Sequence, residues 1–147
     1  MQRIAVDFKT GEYAIYDMPL PTEDEEIKAL TERFAKTGLF FAVLLGADMI
    51  GYVCFHREGD SYDLGYCFRS DCHGKGYAYE ACAALLRYMT EKRNVKVFTA
   101  GTALKNLPSC RLLGKLGFVL EKTETLSFQR DENGNDITFE GGVFIKN

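Results

Sequence analysis

Apolar positions along the chain change period at definite points, and those changes mark out its elements. The clearest lies within Asp63–Met89. Tyr62 to Phe68 is rich in aromatic residues and reads as a strand. Arg69 to Gly76 sets Gly74 and Gly76 among Ser70, Asp71 and Lys75 and reads as a turn. From Tyr77 onward, Ala78, Ala81, Cys82, Leu85, Leu86 and Met89 recur at helical spacing and form one stripe.

The flanking segments supply the rest of the fold. Ile4, Val6 and Phe8 alternate, and Tyr13 to Tyr16 is also β-prone, which predicts an opening hairpin. Thr22 and Glu25 form a capping box for a helix that buries Ile27, Leu30 and Phe34 and stops at Gly38. Leu39–Leu45 and Met49–His56 predict two strands around Gly46-Ala47-Asp48. Val95 to Thr99 is a further strand, parallel to Tyr62–Phe68 because a crossover helix joins them. Asn106 and Pro108 open a short helix with Leu112, Leu113 and Leu116 on its apolar face. Thr125–Gln129 and Ile137–Ile145 flank the turn signal Asn133-Gly134, and Gly141-Gly142 predicts a bulge. The sum is an α+β fold in a single domain over residues 1–147, with about seven strands in a mixed, mainly antiparallel sheet and three helices.

Composition narrows the function without naming it. A net charge of −3 disfavours a nucleic-acid partner. Five cysteines without a CxxC pair suit reduced, mostly buried thiols in a cytoplasm rather than a disulfide framework or zinc site. No apolar run reaches the length of a membrane span, and the first residues do not read as a signal.

Strand, glycine turn and helix together aim free backbone N–H groups and the positive end of a helix dipole at an anion. The turn therefore predicts a phosphate-bearing ligand at Gly74–Ala78, although a Gly-x-Gly at such a junction also serves as a plain tight turn. No GK[ST] follows a four-residue spacer, so this is not a Walker loop. Tyr79 stands where the dinucleotide fingerprint needs its third glycine.

Three motifs taken together carry a family resemblance. They are LGY at Leu64–Tyr66, HGKGYAYEA at His73–Ala81, and the N-x-x-S…K-x-G-F formed by Asn106, Ser109, Lys115, Gly117 and Phe118. With these the chain resembles the GNAT superfamily of acetyl-CoA-dependent N-acetyltransferases, most of all the branch that includes the ribosomal-protein N-terminal acetyltransferases. The resemblance implies a V-shaped splay between the two central parallel strands, acetyl-CoA as co-substrate and no metal. It assigns the pyrophosphate of coenzyme A to the amides of Gly74, Lys75, Gly76, Tyr77 and Ala78, with His73 and Lys75 adding charge. Cys67 and Phe68 would line the pantetheine arm, and Asn106 and Ser109 would meet its thiol end. The loop position usually held by Gln or Arg is Asp71 here.

Acetyl transfer to a primary amine by direct attack in a ternary complex needs a neutral amine, an oxyanion donor and help for the departing thiolate. The resemblance gives the last role to Ser109, and a backbone N–H at Cys67 or Phe68 is the natural oxyanion donor. Asp63 is the candidate base, acting through a water, with Glu80 as the second candidate. At pH 7 an α-amine is roughly 10–20% neutral and a lysine below about 0.1%, so so weak a base suits an α-amine. The acceptor is thus a protein N-terminus or a small-molecule amine. The tyrosines read as packing residues. A catalytically inactive acyl-CoA sensor or interaction module on the same fold is the alternative, and edge strands allow a homodimer.

Overall fold

The computed structural model describes residues 1–147. Six strands form one sheet in the order β1-β2-β3-β4-β6-β5. They are β1 (Phe40–Leu45), β2 (Asp48–Glu58), β3 (Ser61–Phe68), β4 (Val97–Ala103), β5 (Val119–Arg130) and β6 (Asp136–Lys146). Four helices accompany them: α1 (Gln2–Lys9), α2 (Asp24–Thr37), α3 (Tyr77–Arg93) and α4 (Leu107–Lys115). Every neighbouring pair is antiparallel except β3 and β4. The crossover through α3 makes that pair parallel.

The sheet buries its two faces unequally. On one side α3 and α4 cover the main core, where Cys82, Leu86 and Met89 of the α3 stripe meet Val53, Phe55, Leu64, Phe98 and Leu113. Burying each such side chain contributes about 1.5–3 kcal/mol, so this side fixes the angle of α3 to the sheet. On the other side α1 sets Ile4 against Tyr52 and Cys54, and Phe34 of α2 stacks on Phe40 of β1 at 4.8 Å.

The first 23 residues differ from the sequence expectation, whereas the helix expected to stop at Gly38 is α2. Gln2–Lys9 is a helix, not a strand, and Ala14–Tyr16 is a single 3-10 turn. Ile4 and Ala5 are the buried pair while Val6 faces solvent. Three alternating apolar residues are too few to separate period two from period 3.6. The 3-10 turn is held from a distance, because Gln129 Nε2 donates to the carbonyls of Ala14 (2.7 Å) and Asp17 (2.8 Å). The predicted capping box is also absent. Glu23 is the N-cap of α2 and contributes no side-chain bond, and Gln2 Nε2 instead donates to the Thr22 carbonyl at 3.3 Å.

The last hairpin forms across Asn133-Gly134 as the turn signal predicts, and one further correction concerns its bulge. Asn133-Gly134 lies in a five-residue connection closed by Asp131, whose carboxylate accepts from the N–H groups of Asn133 and Asn135 at 2.9 Å each. The register shifts fall at Leu120/Lys122 and Ser127/Gln129 of β5, not at Gly141-Gly142. Those glycines make room for packing: a Cβ at Gly142 would stand 2.8 Å from both Leu104 and Phe144.

Candidate active site

The parallel pair of strands comes apart. β3 and β4 share only Ser61–Val97, Tyr62–Phe98 and Asp63–Thr99. Beyond that rung β3 continues to Phe68 bonded to β2, and β4 continues to Ala103 bonded to β6. A wedge therefore opens from Asp63 toward the end of β3. Backbone direction decides what lines it. The Arg69 N–H donates to Ile50 on β2 at 2.9 Å, and polar groups alternate sides along a strand. Cys67 is thus turned to β2, whereas the N–H groups of Tyr66 and Phe68 face the wedge with no strand partner. Of the two expected backbone donors, only the Phe68 N–H faces the wedge.

At the open end of the wedge lies the glycine turn. Gly74 and Gly76 hold φ of 72° and 83°, a region that costs other L-residues energy. No N–H from Gly74 through Tyr79 donates to a protein acceptor, and the first bonded amide is Glu80, to the Gly76 carbonyl at 3.0 Å. Nothing lies within 4 Å of a Cβ built at Gly74 or Gly76. The turn thus presents a row of unused donors at the foot of a 17-residue helix, the arrangement that favours an anion. Lys75 is exposed beside it with no ion-pair partner. His73 Nε2 lies 2.8 Å from the Phe68 carbonyl. Its ring therefore steadies the end of β3.

An ion-pair cluster anchors the approach to the turn. Arg69 is only 5% exposed. It donates to Asp71 through Nε (3.0 Å) and Nη2 (2.7 Å), and to Asp48 through Nη1 (2.7 Å). Those bonds hold the Asp71 carboxyl down at about 2. From α1, Asp7 accepts from the Ser70 N–H at 2.8 Å and the Ser70 hydroxyl at 2.7 Å. Asp71 is thus spent on the scaffold, which accounts for its place in a loop that the family resemblance would give a basic residue.

Inside the wedge, α4 meets β3. Asn106 caps α4, its Oδ1 accepting from the Ser109 N–H at 3.2 Å. The Ser109 hydroxyl in turn lies 2.6 Å from the Tyr66 hydroxyl. Burial pushes the Tyr66 phenol well above its ordinary range, so it stays protonated. Nothing local in the sequence signals this contact, because the residues are 43 positions apart.

Asp63 occupies the closed end, about 10 Å along the strand from Tyr66 at 3.3 Å per residue. Ser109 and Asp63 are therefore not brought into contact. Desolvation raises the Asp63 carboxyl above its ordinary value, against a lowering bond from Thr99. His56 lies opposite Asp63 in the ladder, and its Nε2 is 3.9 Å from the Cys54 sulfur. Burial pushes the Cys54 thiol up to about 11 and the Cys67 thiol to about 12. A thiolate nucleophile is disfavoured at both. No group of three or more His, Cys, Asp or Glu side chains is placed to hold a metal, and no helix is long and apolar enough to cross a membrane. A crevice of about 290 Å³ opens behind α3 beside Arg87, Lys115 and Lys146, away from the wedge.

Comparison with known proteins bears on this geometry. Residues 2–119 match a family model described as an acetyltransferase (GNAT) domain. The chain is 34% identical over 71 residues to an uncharacterized N-acetyltransferase, YnaD, of Bacillus subtilis; the match covers 47% of this chain and 42% of that protein. Its fold is similar to that of a GNAT-family acetyltransferase from Bacillus anthracis, with a TM-score of 0.75, 22% identity and coverage of 99% and 86% of the two chains. It is also similar to a ribosomal-protein-S5-alanine acetyltransferase from Vibrio fischeri, with a TM-score of 0.77, 21% identity and coverage of 98% and 85%.

Proposed function

The chain belongs to the GNAT acetyltransferase family, and from that premise we propose that it moves an acetyl group from acetyl-CoA to a primary amine by direct attack in a ternary complex. The observation that carries this reading is the strand pair that stops at Asp63–Thr99, beside a turn whose amides bond to nothing else. The Gly74–Ala78 amides would take the coenzyme's diphosphate, and the wedge edge of β3 at Tyr66 and Phe68 would pair with the pantetheine arm. The acetyl carbonyl would then lie where the Phe68 N–H stabilises developing negative charge.

The amine enters neutral, its nitrogen bonds to the acetyl carbon and the carbon–sulfur bond breaks. The proton lost from nitrogen passes through water to Asp63, and the sulfur departs with the hydroxyl of Ser109 as hydrogen-bond donor. A thiol titrates near 8.5, so the thiolate needs only modest help. Asp63 is too far from the thiol end for direct contact, which favours an α-amine or another weakly basic acceptor over lysine. The five free thiols suit a reducing compartment such as the cytoplasm.

The test is thermal shift with acetyl-CoA and with ATP–magnesium, followed by thiol release against a panel of amines. Stabilisation by acetyl-CoA alone and release with one amine class are expected. Stabilisation without release from any amine would make the chain an acyl-CoA-binding module instead, and no stabilisation would overturn the whole reading.

A further inference from the structure

We propose that Tyr66 is a positioning residue that aims the Ser109 hydroxyl at the departing sulfur. This rests on the acetyl-transfer reading above and adds a residue to it. Two hydroxyls 2.6 Å apart share one hydrogen bond and leave one hydrogen to donate elsewhere. Tyr66 stands on β3 with its ring among the core residues under α3, and Ser109 stands on α4, so the bond crosses the wedge. A serine hydroxyl left alone rotates freely among staggered positions. When Tyr66 donates to Ser109 Oγ, one of the serine's lone pairs is occupied and its own hydrogen is directed away from the ring.

That direction is set by rigid elements on both sides. Asn106 fixes the first turn of α4 through the Ser109 N–H, and Tyr66 is clamped in the β2–β3 ladder opposite Val53. Neither hydroxyl changes its net protonation. The thiolate leaves accepting a hydrogen bond and takes its proton from solvent, while the proton from the amine goes to Asp63 and then to solvent. Burial keeps the phenol protonated throughout. The Tyr66 hydroxyl thus acts through Ser109, not on the substrate.

The experiment is a double-mutant cycle on the full chain with Tyr66→Phe, Ser109→Ala and the pair, reading kcat, the KM for acetyl-CoA and the melting temperature. Phenylalanine keeps the ring and its packing. Tyr66→Phe is expected to lower kcat about tenfold, the scale of a hydrogen bond to a charged group, with the KM for acetyl-CoA within about twofold. In the Ser109→Ala background the same change should alter kcat by less than about twofold, because the hydroxyl it aims is gone. Equal losses in both backgrounds would show a role independent of Ser109 and overturn the proposal. So would an unchanged kcat in Tyr66→Phe. Failure of the wild type to bind acetyl-CoA in the thermal-shift assay would instead sink the acetyl-transfer reading itself.

Discussion

The Thr99 hydroxyl donates to Asp63 Oδ1 across 3.1 Å on the last rung that β3 and β4 share. One carboxylate oxygen is thereby fixed at the closed end of the wedge, and the other has no protein donor. A half-buried carboxylate with one free oxygen is a usable base for a water-relayed proton.

Asp63→Asn is expected to lower kcat about a hundredfold, at the lower end for loss of an acid–base group. Its stability should move the other way. Burial raises the folded-state pKa of this carboxyl above its unfolded value, so the folded protein holds the proton more tightly. The stabilisation that comes with protonation is complete below the unfolded pKa and is lost as pH rises through the folded one. Asn carries no such penalty, so the variant should melt higher than wild type at pH 7, with the difference shrinking toward pH 4. Melting curves across that range decide it, and a difference constant with pH would show that Asp63 pays no burial cost. Thr99→Val removes the lowering bond and should shift the acidic fall of kcat to higher pH.

At Gly76 the constraint is conformational, not spatial. Its φ is 83° and a Cβ there would meet nothing within 4 Å. Gly76→Val should therefore cost about 1–3 kcal/mol through strain or a rebuilt turn, and acetyl-CoA affinity should fall at least tenfold as the amides lose alignment. Asn tolerates the left-handed region better, so Gly76→Asn should fall between the two. Calorimetric titration orders the three proteins, and equal affinities would remove the turn from the binding site.

Gly51 on β2 allows the end of β3 to sit where it does. A Cβ there would lie 2.6 Å from the Cys67 carbonyl and press on the Phe68 ring. Gly51→Ala must move backbone, so a loss of about 1–3 kcal/mol is expected. Acetyl-CoA affinity should weaken with it, since Phe68 lines the wedge. Urea melts and titration check both, and wild-type values in each would show that β3 has slack at this point.

How much of this was legible in the sequence depends on the distance between partners. The α3 stripe was readable because Cys82, Leu86 and Met89 repeat on one face, and all three are buried. Asn106 was readable as a cap because its bond reaches only to Ser109. The α1 helix was not, since Ile4 earns its burial from Tyr52 and Cys54 on β2. Tyr66 reads as packing because its partner hydroxyl lies on another element, and the bond from His73 to the Phe68 carbonyl leaves no trace in the motif. Motifs carry the backbone of the site, while the side-chain pairing within it is tertiary.

Asp71 offers the sharpest test of that distinction. By resemblance alone, Asp71→Arg would restore a cation beside the glycine turn and strengthen binding of a diphosphate. In the structure Asp71 holds Arg69 through two bonds, and Arg69 is buried while Asp71 is more than half exposed. Reversal would place a second cation against a buried one and leave Asp48 as its main counter-charge, with Arg3 only 3.9 Å from the same carboxylates. Breaking a buried pair costs more than the pair contributes, because the remaining charge keeps its desolvation penalty. Asp71→Arg is therefore expected to lower the melting temperature and weaken acetyl-CoA binding several-fold, with Asp71→Asn milder in both. Part of the loss should persist in high salt, because screening acts weakly on the buried member. Tighter binding by Asp71→Arg would mean that charge at the turn outweighs the anchor, and that Arg69 holds its place without Asp71.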